Sequence, residues 1–539
     1  MCKAPARRKP RPSVIRWIVP CLLLSAAMCG CGGGSGGGGA SDPGPTQYPQ
    51  PPAGFAFLTQ SDVITIVQTA AATADPSTMA IAVTDRVGNI LAVWEGAGMP
   101  ATSTGNFGQA TPTGELAVNL ARTASFFSND QAPLSSRTVR YISGIHFPPG
   151  IENTPNAALY GIETTNRGCT LSTNYLPGQA IPAPTTINGS PDHYGIITGK
   201  ADVNDSDPTA VNPGGVPIFK SGHVVGGVGI AGVPLDVAEF VAYTAAGLIG
   251  VSSADADGIA FPSLPAPAEV VIDGIALPFV DNTTAPGDLT PSTAAFDSSR
   301  YVSGPITDPI AGPLPEGYLV GPVAAPLGGL SASQVDSIIM NAVNTADQTR
   351  ALIRLPPGAR ARMMIALSDL DGTIVGMYRM HDATIFSIDV AATKARNVIY
   401  FSGPNRTPGD LPGVPMGTAV TNRTIGFGAQ PLFPPGINGS SPGPFFGVYT
   451  SDAANPCTQG ADTGPNQSGV VFFPGSEPLY VNGVLVGGLG VGGDGVDQDD
   501  YVTAGGAVGY EAPAGIRADQ VIIDGVRLPY MHFPRNPTD

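Results

Sequence analysis

The sequence predicts an α+β fold of two tandem homologous domains, each a largely antiparallel sheet with helices packed on it. One observation is an internal repeat, because the pentapeptide FPPGI occurs at residues 147–151 and again at 433–437. Three further fragments recur in the same order: TDRVGNILAV (84–93) with SDLDGTIVGM (368–377), GGVPIFKSGHVVGGVGIAG (214–232) with GSEPLYVNGVLVGGLGVGG (475–493), and EVVIDGIALPF (269–279) with QVIIDGVRLPY (520–530). Ordered matches indicate a duplicated unit, so any site should be sought in both halves.

Hydrophobic periodicity is the second observation, since it gives each half the order α-β-β-α-loop-β-β-α. The elements expected in the first domain (54–283) are a helix capped near Thr59, two strands around the turn at Gly88, a helix at 113–127, an irregular stretch at 128–212, a hairpin turning at Gly222 and a helix at 233–250. The second domain (328–539) repeats this order, with its second helix at 387–402. Hairpins covered by helices are typical of layered α+β domains.

The segments outside the two domains have their own character. Residues 1–30 have a basic head and a short apolar run, which is typical of an export signal. Cys31 follows Gly30 as in a bacterial lipobox, and we expect it to be lipidated; Cys29 is the competing acceptor, and an ordinary secretory peptide is the alternative. Residues 31–53 are a Gly/Ser/Pro tether, and 284–327 are predicted to be a linker with little structure. The acyl chains would anchor the protein to a membrane.

Composition and charge limit the classes of function. The chain holds 71 Gly and 55 Pro, and 42% of its 539 residues are hydrophobic, which favours a loop-rich globular protein over disorder. The first 30 residues carry six Lys and Arg and no acid, so the rest has 20 basic and 42 acidic residues, a net charge of −22. So acidic a surface repels nucleic acid.

Two cysteines remain beyond the anchor. Cys169 follows the start of the first FPPGI copy by 22 residues, and Cys457 follows the second by 24. Because equivalent positions of two pseudo-symmetric domains can meet, and an exported compartment permits oxidation, we expect a Cys169–Cys457 disulfide. The alternative is two buried thiols that never meet.

In both repeats the order of motifs resembles the GlcG/HbpS-like family (domain of unknown function 336). Its motifs match the first half of the second domain at Asp369, Gly372, Arg379, Met380, Ala383, Ala391, Lys394 and Ala395. They match the later half of the first domain at Gly214, Gly215, Pro217, Gly222, Gly226, Gly229 and Gly232. The resemblance covers about 130 residues of each half and leaves the FPPGI segments unexplained. It implies the family fold, and members include haem-binding proteins that commonly form oligomers.

The candidate cofactor site follows from this resemblance. His381 is expected to be an axial haem ligand, with Arg379 and Lys394 pairing the propionates. The alternative is a loop histidine beside a surface Arg379–Asp382 pair. The first domain has no matching histidine, since Gly96-Ala97-Gly98 occupies that region.

Other motifs give weaker indications of function. His223 is expected to be a solvent-exposed turn residue, and the glycines at 227–232 and 488–493 fit G-x-G-x-x-G but are better explained by close packing than by a dinucleotide. Acidic residues at 492–500 are expected to cap a helix, with weak calcium binding there or at 202–207 as the alternative. No nucleophile elbow, Walker loop, H-E-x-x-H or C-x-x-C occurs, so we name no catalytic or metal-binding residues.

Together these features predict a lipid-anchored protein of the cell envelope, by default at the outer membrane. Its expected activity is binding of haem or a related tetrapyrrole without catalysis. The alternative is a structural or assembly module that uses the FPPGI loops to contact envelope proteins, since long loops often carry function.

Overall fold

A computed structural model describes residues 57–105, 108, 110–164, 212–247, 270–281, 284–287, 289, 291–303, 316–454 and 468–539. All of them belong to one compact unit, residues 47–539. The predicted signal peptide and tether, the lipidation site Cys31, the acidic loop at 202–207, and the expected disulfide partners Cys169 and Cys457 lie outside the described residues. Within the described ranges, no helix has the length and apolar character that crossing a bilayer requires.

The first repeat has the predicted order of elements, with short additions. Its elements are α1 (Gln60–Thr73), β1 (Ala80–Asp85), β2 (Ile90–Glu95), β3 (Thr102–Thr104), β4 (Ala110–Pro112), α2 (Thr113–Phe127), α3 (Ser136–Tyr141), β5 (Gly215–Lys220), β6 (His223–Ala231), α4 (Leu235–Ala245), β7 (Val271–Ile272), β8 (Ile275–Ala276) and β9 (Tyr301–Ser303). Helix α1 begins where predicted, because Thr59 and Asp62 form a reciprocal capping box.

The second repeat follows the same plan. Its elements are β10 (Gly317–Val320), α5 (Ala332–Gln348), β11 (Met364–Ser368), β12 (Ile374–Arg379), α6 (Phe386–Ser402), α7 (Asn422–Gly428), α8 (Phe446–Ala454), β13 (Ser476–Val481), β14 (Val484–Gly492), α9 (Val496–Gly506), β15 (Ile522–Ile523) and β16 (Val526–Arg527). Helix α5 begins with a capping box between Ser331 and Gln334, as α1 does with its own pair.

The two main sheets have the same strand order. The first runs β5-β6-β1-β2-β9, and the second, read in the same direction, runs β13-β14-β11-β12-β10. Every pairing within them is antiparallel. The predicted α+β fold class is therefore confirmed. Four strands of each sheet correspond in order along the chain, whereas the outer strand follows the last helix of the first repeat (β9) and precedes the first helix of the second (β10).

Glycines let the central helices lie directly on the sheets. A Cβ added at Gly229 in β6 would stand 1.9 Å from the Ala117 carbonyl oxygen of α2, and one at Gly490 in β14 would stand 2.1 Å from that of Ala391 in α6. Since any side chain would push the helix away, the glycine-rich pattern serves close packing, as expected, in both repeats.

The segment between the predicted domains is more structured than its composition suggests. Strand β9 pairs with β2, and β10 pairs with β12, so each supplies the outer strand of one main sheet. The prediction of a linker with little structure is wrong for these residues. Because Gly and Pro are abundant in this segment, its composition does not indicate strands. β9 and β10 are only three and four residues long, and their strand conformation depends on pairing with a distant partner.

The repeats pack on each other through a shared apolar core. Phe127 at the end of α2 stacks on Phe386 at the start of α6, with ring centroids 4.1 Å apart, and the Ile385 amide donates to the Phe126 carbonyl at 3.1 Å. Tyr160 of the first repeat stacks on Tyr449 of the second at 5.3 Å. Aromatic rings bury large apolar areas, so these contacts hold the halves together.

The two FPPGI segments meet in this interface. The Asn153 amide donates to the Asn438 side chain and the Asn438 amide donates to that of Asn153, both at 3.0 Å. Gly436 lies so close to Thr154 that an added Cβ would stand 2.0 Å from its carbonyl oxygen. The loops therefore contact each other within one chain, and a side chain at Gly436 would separate them.

Candidate functional site

Some polar contacts occur in both repeats and belong to the fold. Arg122 of α2 donates to the Gly88 carbonyl at 2.8 Å, and Arg396 of α6 donates in the same way to Gly372 at 2.8 Å. Each arginine ties a central helix to the turn of the first hairpin.

A second shared contact joins α3 or α7 to the last helix of its repeat. Arg137 pairs with Glu239 at 2.6 Å, and Arg423 pairs with Asp500 at 2.5 Å. Contacts that only one repeat makes are therefore better candidates for function than these shared ones.

The clearest difference is a buried ion pair in the second repeat. Gly214 is flanked by Leu120 and Ala238, at 3.5 and 3.3 Å from an added Cβ, whereas Gly475 at the equivalent place is flanked by Lys394 and Asp499, both at 2.6 Å. The first repeat thus builds the same junction from two apolar residues. The fold itself does not require a charge there.

Lys394 is buried, and its ammonium group is hydrogen-bonded inside the protein. Its ammonium donates to the Val491 carbonyl at 2.6 Å and to Asp499 at 3.0 Å, and it lies 4.9 Å from the centroid of the Phe473 ring. The side chain has no exposed surface. Burial lowers the pKa of Lys394 and raises that of Asp499 to about 7, since it penalises both charged forms. The structure does not bring Lys394 to the surface where a propionate would lie.

Arg379 is also turned inward. It is 5% exposed and donates to the Ala383 carbonyl at 2.7 Å through Nη2 and 3.2 Å through Nε. The alternative pair of Arg379 and Asp382 is not formed. Instead Asp382 pairs with Arg354 at 2.6 Å, because Arg354 reaches the same turn from the segment that precedes β11.

His381 is the one predicted haem residue that reaches the surface. Its side chain is 57% exposed, and Nδ1 forms a short hydrogen bond with the carboxylate of Glu316, just before β10. A carboxylate accepts, so Nδ1 donates the hydrogen bond, and in the neutral ring the lone pair lies on Nε2. Within the described part of the chain Nε2 has no hydrogen-bond partner.

The turn that carries His381 is held by the first repeat. Asp382 adopts a left-handed conformation (φ 56°), and its carboxylate accepts from the Asp130 amide at 3.0 and 3.1 Å. The Asp130 side chain in turn pairs with His223 at 2.6 Å. The hydrogen bond to Asp130 raises the pKa of His223. His223 stands at the start of β6 with its side chain 36% exposed, as expected beside the turn, and it also supports the inter-repeat contact through its pair with Asp130 of the same repeat.

The acidic stretch at 492–500 pairs with cations. Asp494 contacts Arg354, Asp499 contacts Lys394, and Asp500 contacts Arg423. The cap of α9 is Gly495, without a side-chain hydrogen bond, so the expected side-chain cap is not formed, although Asp497 and Asp499 do lie in the first turn, where the helix dipole favours acids. Among the described residues, no group of three or more His, Cys, Asp or Glu side chains is arranged to hold a metal ion.

A haem fits part of this arrangement. A histidine with Nδ1–H on a carboxylate and Nε2 facing outward is the usual form of a metal-ligating histidine. His381 with Glu316 meets that description, whereas Arg379 and Lys394 present no donor to the same surface. The residues that could hold the group are therefore His381 and the side chains around it.

One family model matches part of the chain. Residues 330–507 match the family described as haem degrading protein HbpS-like. This part of the second repeat is therefore similar to the HbpS-like family. The match includes His381 and the Lys394–Asp499 pair. The first repeat lies outside the matched residues, although its strand order is the same.

Solved structures of related proteins align with one third of the chain. They include a PduOC–heme complex (21% identity, 33% of this chain and 93% of that chain, TM-score 0.23), Klebsiella pneumoniae protein ORFY (16%, 33% and 86%, 0.22) and a double mutant of Streptomyces reticuli HbpS (17%, 33% and 83%, 0.19). TM-scores this low carry no structural argument. No curated protein matches the chain.

Several residues of the site could not be identified from the sequence. Glu316 lies 65 residues before His381, in the segment taken for a linker, and nothing in its context marks it. Asp499 did carry a signal, since aligning the repeats sets Lys394 and Asp499 against Leu120 and Ala238. When two apolar residues of one repeat are replaced by oppositely charged residues in the other, the two charged residues are expected to contact each other.

Proposed function

We propose that this chain is a lipid-anchored cell-envelope protein whose second repeat binds haem or a related tetrapyrrole through His381, without catalysis of its own. The signal-like residues 1–30 with Cys31 support the anchor, and the HbpS-like match supports the ligand class. The first repeat is proposed to be a second member of the family, fused in tandem. Its lack of a histidine equivalent to His381 assigns ligand binding to the second repeat.

The hydrogen bond between His381 and Glu316 carries this proposal. The carboxylate fixes the orientation of the ring and increases the basicity of Nε2, as second-shell carboxylates do for metal-bound histidines. The pair stands on the surface, where a large planar ligand can approach it.

Titration of the purified soluble chain with haemin tests the proposal. We expect a shift of the Soret band that His381→Ala abolishes. His532→Ala is the matched control, because His532 is also exposed (68%) and also places Nδ1 on a carboxylate, that of Asp497 at 2.9 Å. If the Soret band of haemin does not shift when the chain is present, or if both variants lose the shift equally, the assignment is refuted.

A specific observation keeps assembly as a second candidate function. Ile151 and Ile437 hold equivalent places in the paired FPPGI loops and are 52% and 48% exposed. Exposed apolar side chains on adjoining loops are typical of protein contacts. Pull-down from solubilised envelopes, compared with Ile151→Ser/Ile437→Ser, would test it, and recovery of the same partners by the variant would count against it.

A further inference from the structure

We propose that Arg350 and Arg360 form a binding site for a phosphate or phosphomonoester group, whether of a free phosphate or of a lipid headgroup. The site lies in the second repeat, in the segment that joins α5 to β11. This connection covers residues 349–363, whereas the corresponding connection of the first repeat, between α1 and β1, covers only residues 74–79. The longer connection is therefore not required by the fold that the repeats share. The inference is independent of the proposed binding of haem at His381.

Two positive charges stand opposite each other within this connection. Arg350 and Arg360 form an antiparallel β-bridge. Next to it, the Ala361 amide donates to the Thr349 carbonyl at 2.9 Å. Side chains of directly opposed residues lie on the same face, with Cβ atoms about 5 Å apart, and like charges at such positions are destabilising. A departure of this kind from the rules of local stability is expected at a functional site.

The partners of both guanidinium groups are carbonyl groups. Arg350 donates through Nη2 to the Arg535 carbonyl at 3.2 Å. Arg360 donates through Nη1 to the carbonyl groups of Gln348 and Thr538, at 3.0 and 2.9 Å. Both arginines are half-buried, and neither forms an ion pair with a carboxylate in the part of the chain that the structure describes. The repulsion between them is therefore not offset by any described acid.

The charge around this pair is positive although the protein is acidic. Arg535, whose carbonyl accepts from Arg350, is exposed and forms no ion pair within the described ranges. Of the acids on the adjoining segments, Asp347 is paired with Arg362 at 2.5 Å, and Asp539 is exposed. Because the Debye length is about 8 Å at physiological ionic strength, distant acids have little effect here. An anion is therefore attracted to this place in spite of the net charge of −22 beyond residue 30.

Each guanidinium keeps hydrogen-bond donors for an oxyanion. Among the described contacts Arg360 uses only Nη1, which leaves Nε and Nη2, and Arg350 uses only Nη2, which leaves Nε and Nη1. A single guanidinium occupies both oxygens of a carboxylate through two parallel hydrogen bonds. A phosphomonoester has three acceptor oxygens, so it accepts from both arginines at once and offsets their repulsion. The arrangement therefore favours phosphate over carboxylate.

Thermal unfolding of the full chain at pH 7 tests the site, because a ligand that binds only the folded state raises Tm. Sodium phosphate, glycerol phosphate and sodium acetate are each compared with sodium chloride at equal ionic strength. We expect phosphate or glycerol phosphate to raise Tm more than acetate does. Glycerol phosphate is the soluble headgroup of a lipid phosphomonoester, so the stronger of the two phosphate probes identifies the source of the ligand.

Arginine variants separate binding from the general stabilisation that phosphate gives by exclusion from protein surfaces. Replacing either Arg350 or Arg360 by Gln should raise the concentration that gives half of the increase by about fivefold. Arg350→Gln/Arg360→Gln should retain only the general effect, and the single variants keep the test valid if this double variant does not fold. Arg527→Gln is the matched control, because Arg527 is exposed, lies on β16 and forms no ion pair among the residues described.

Two results would overturn the site. One is a phosphate effect of equal size in the unmodified chain and in the variants of Arg350 and Arg360. The other is an unmodified chain that acetate stabilises as much as both phosphate probes do. In either case the two arginines only hold the segment 535–538 in place through its carbonyl groups.

Discussion

Replacement of the Lys394–Asp499 pair by the residues of the first repeat is the sharpest test of how this fold uses charge. The variant is Lys394→Leu/Asp499→Ala, since Leu120 and Ala238 flank Gly214 as the pair flanks Gly475. The two charges stand 3.0 Å apart, which at an effective dielectric constant of 20 corresponds to about 5 kcal/mol of attraction. Loss of hydration costs several kcal/mol for each ion, so the net contribution of the pair is small.

The single and double variants should therefore behave differently. Asp499→Ala leaves an ammonium buried without its carboxylate and should lower stability by about 3–5 kcal/mol. The double variant removes both ions and adds apolar packing, so its stability should equal or exceed that of the unmodified chain by up to about 4 kcal/mol.

Urea unfolding of the full chain at pH 7, followed by circular dichroism, measures this order. The midpoint should fall for Asp499→Ala and return to the original value or above for the double variant. Ala238→Asp is the converse control, because it buries an unpaired carboxylate in the first repeat and should lower the midpoint. If the double variant unfolds as early as Asp499→Ala, the pair is required by the fold and the reasoning fails.

Three further predictions concern the pH dependence set by Glu477, the pH dependence set by His223, and the anchor. Burial raises the pKa of Glu477 to about 8, so folding favours its neutral form. The stability gained in this way is present below pH 4.5 and declines by at most about 5 kcal/mol as the pH rises to 8. Thermal unfolding should show a smaller decline for Glu477→Gln. The raised pKa of His223 means that its pairing with Asp130 stabilises fully below pH 6.5 and is lost as pH rises through the raised value; equal pH dependence in His223→Gln, measured by the unfolding midpoint from pH 6 to 9, would contradict this. Cys31→Ser should move the protein from the membrane to the soluble fraction of its host cell and prevent palmitate labelling, whereas membrane retention would exclude an acyl anchor at this residue.

Much of the fold followed from local sequence. The capping box at Thr59, the alternating strands and the turn glycines each depend on neighbouring residues, and all appear where predicted. The repeat then extended each assignment from one half to the other. Strands β9 and β10 were not predicted, because so short a run has no periodicity of its own and forms a strand only by pairing with β2 or β12.

The site was predicted less well than the fold. His381 was singled out from its motif and does reach the surface, but Arg379 and Lys394 were chosen by proximity in sequence. Arg379 turns inward to the Ala383 carbonyl and Lys394 lies buried on α6 against the Val491 carbonyl, so proximity along the chain did not bring these cations to the exposed side chain of His381. Glu316 reaches His381 because β10, which it precedes, pairs with β12.

By itself the sequence determined the repeated α+β unit, the positions of its main helices and hairpins, and the residues able to carry charge. Only the tertiary structure decided which of those charges are buried, which are exposed and which repeat supports the turn at His381. The physical reason is that secondary structure depends on spacing over a few residues, whereas the burial and pairing of a charged group depend on chain segments far away in the sequence.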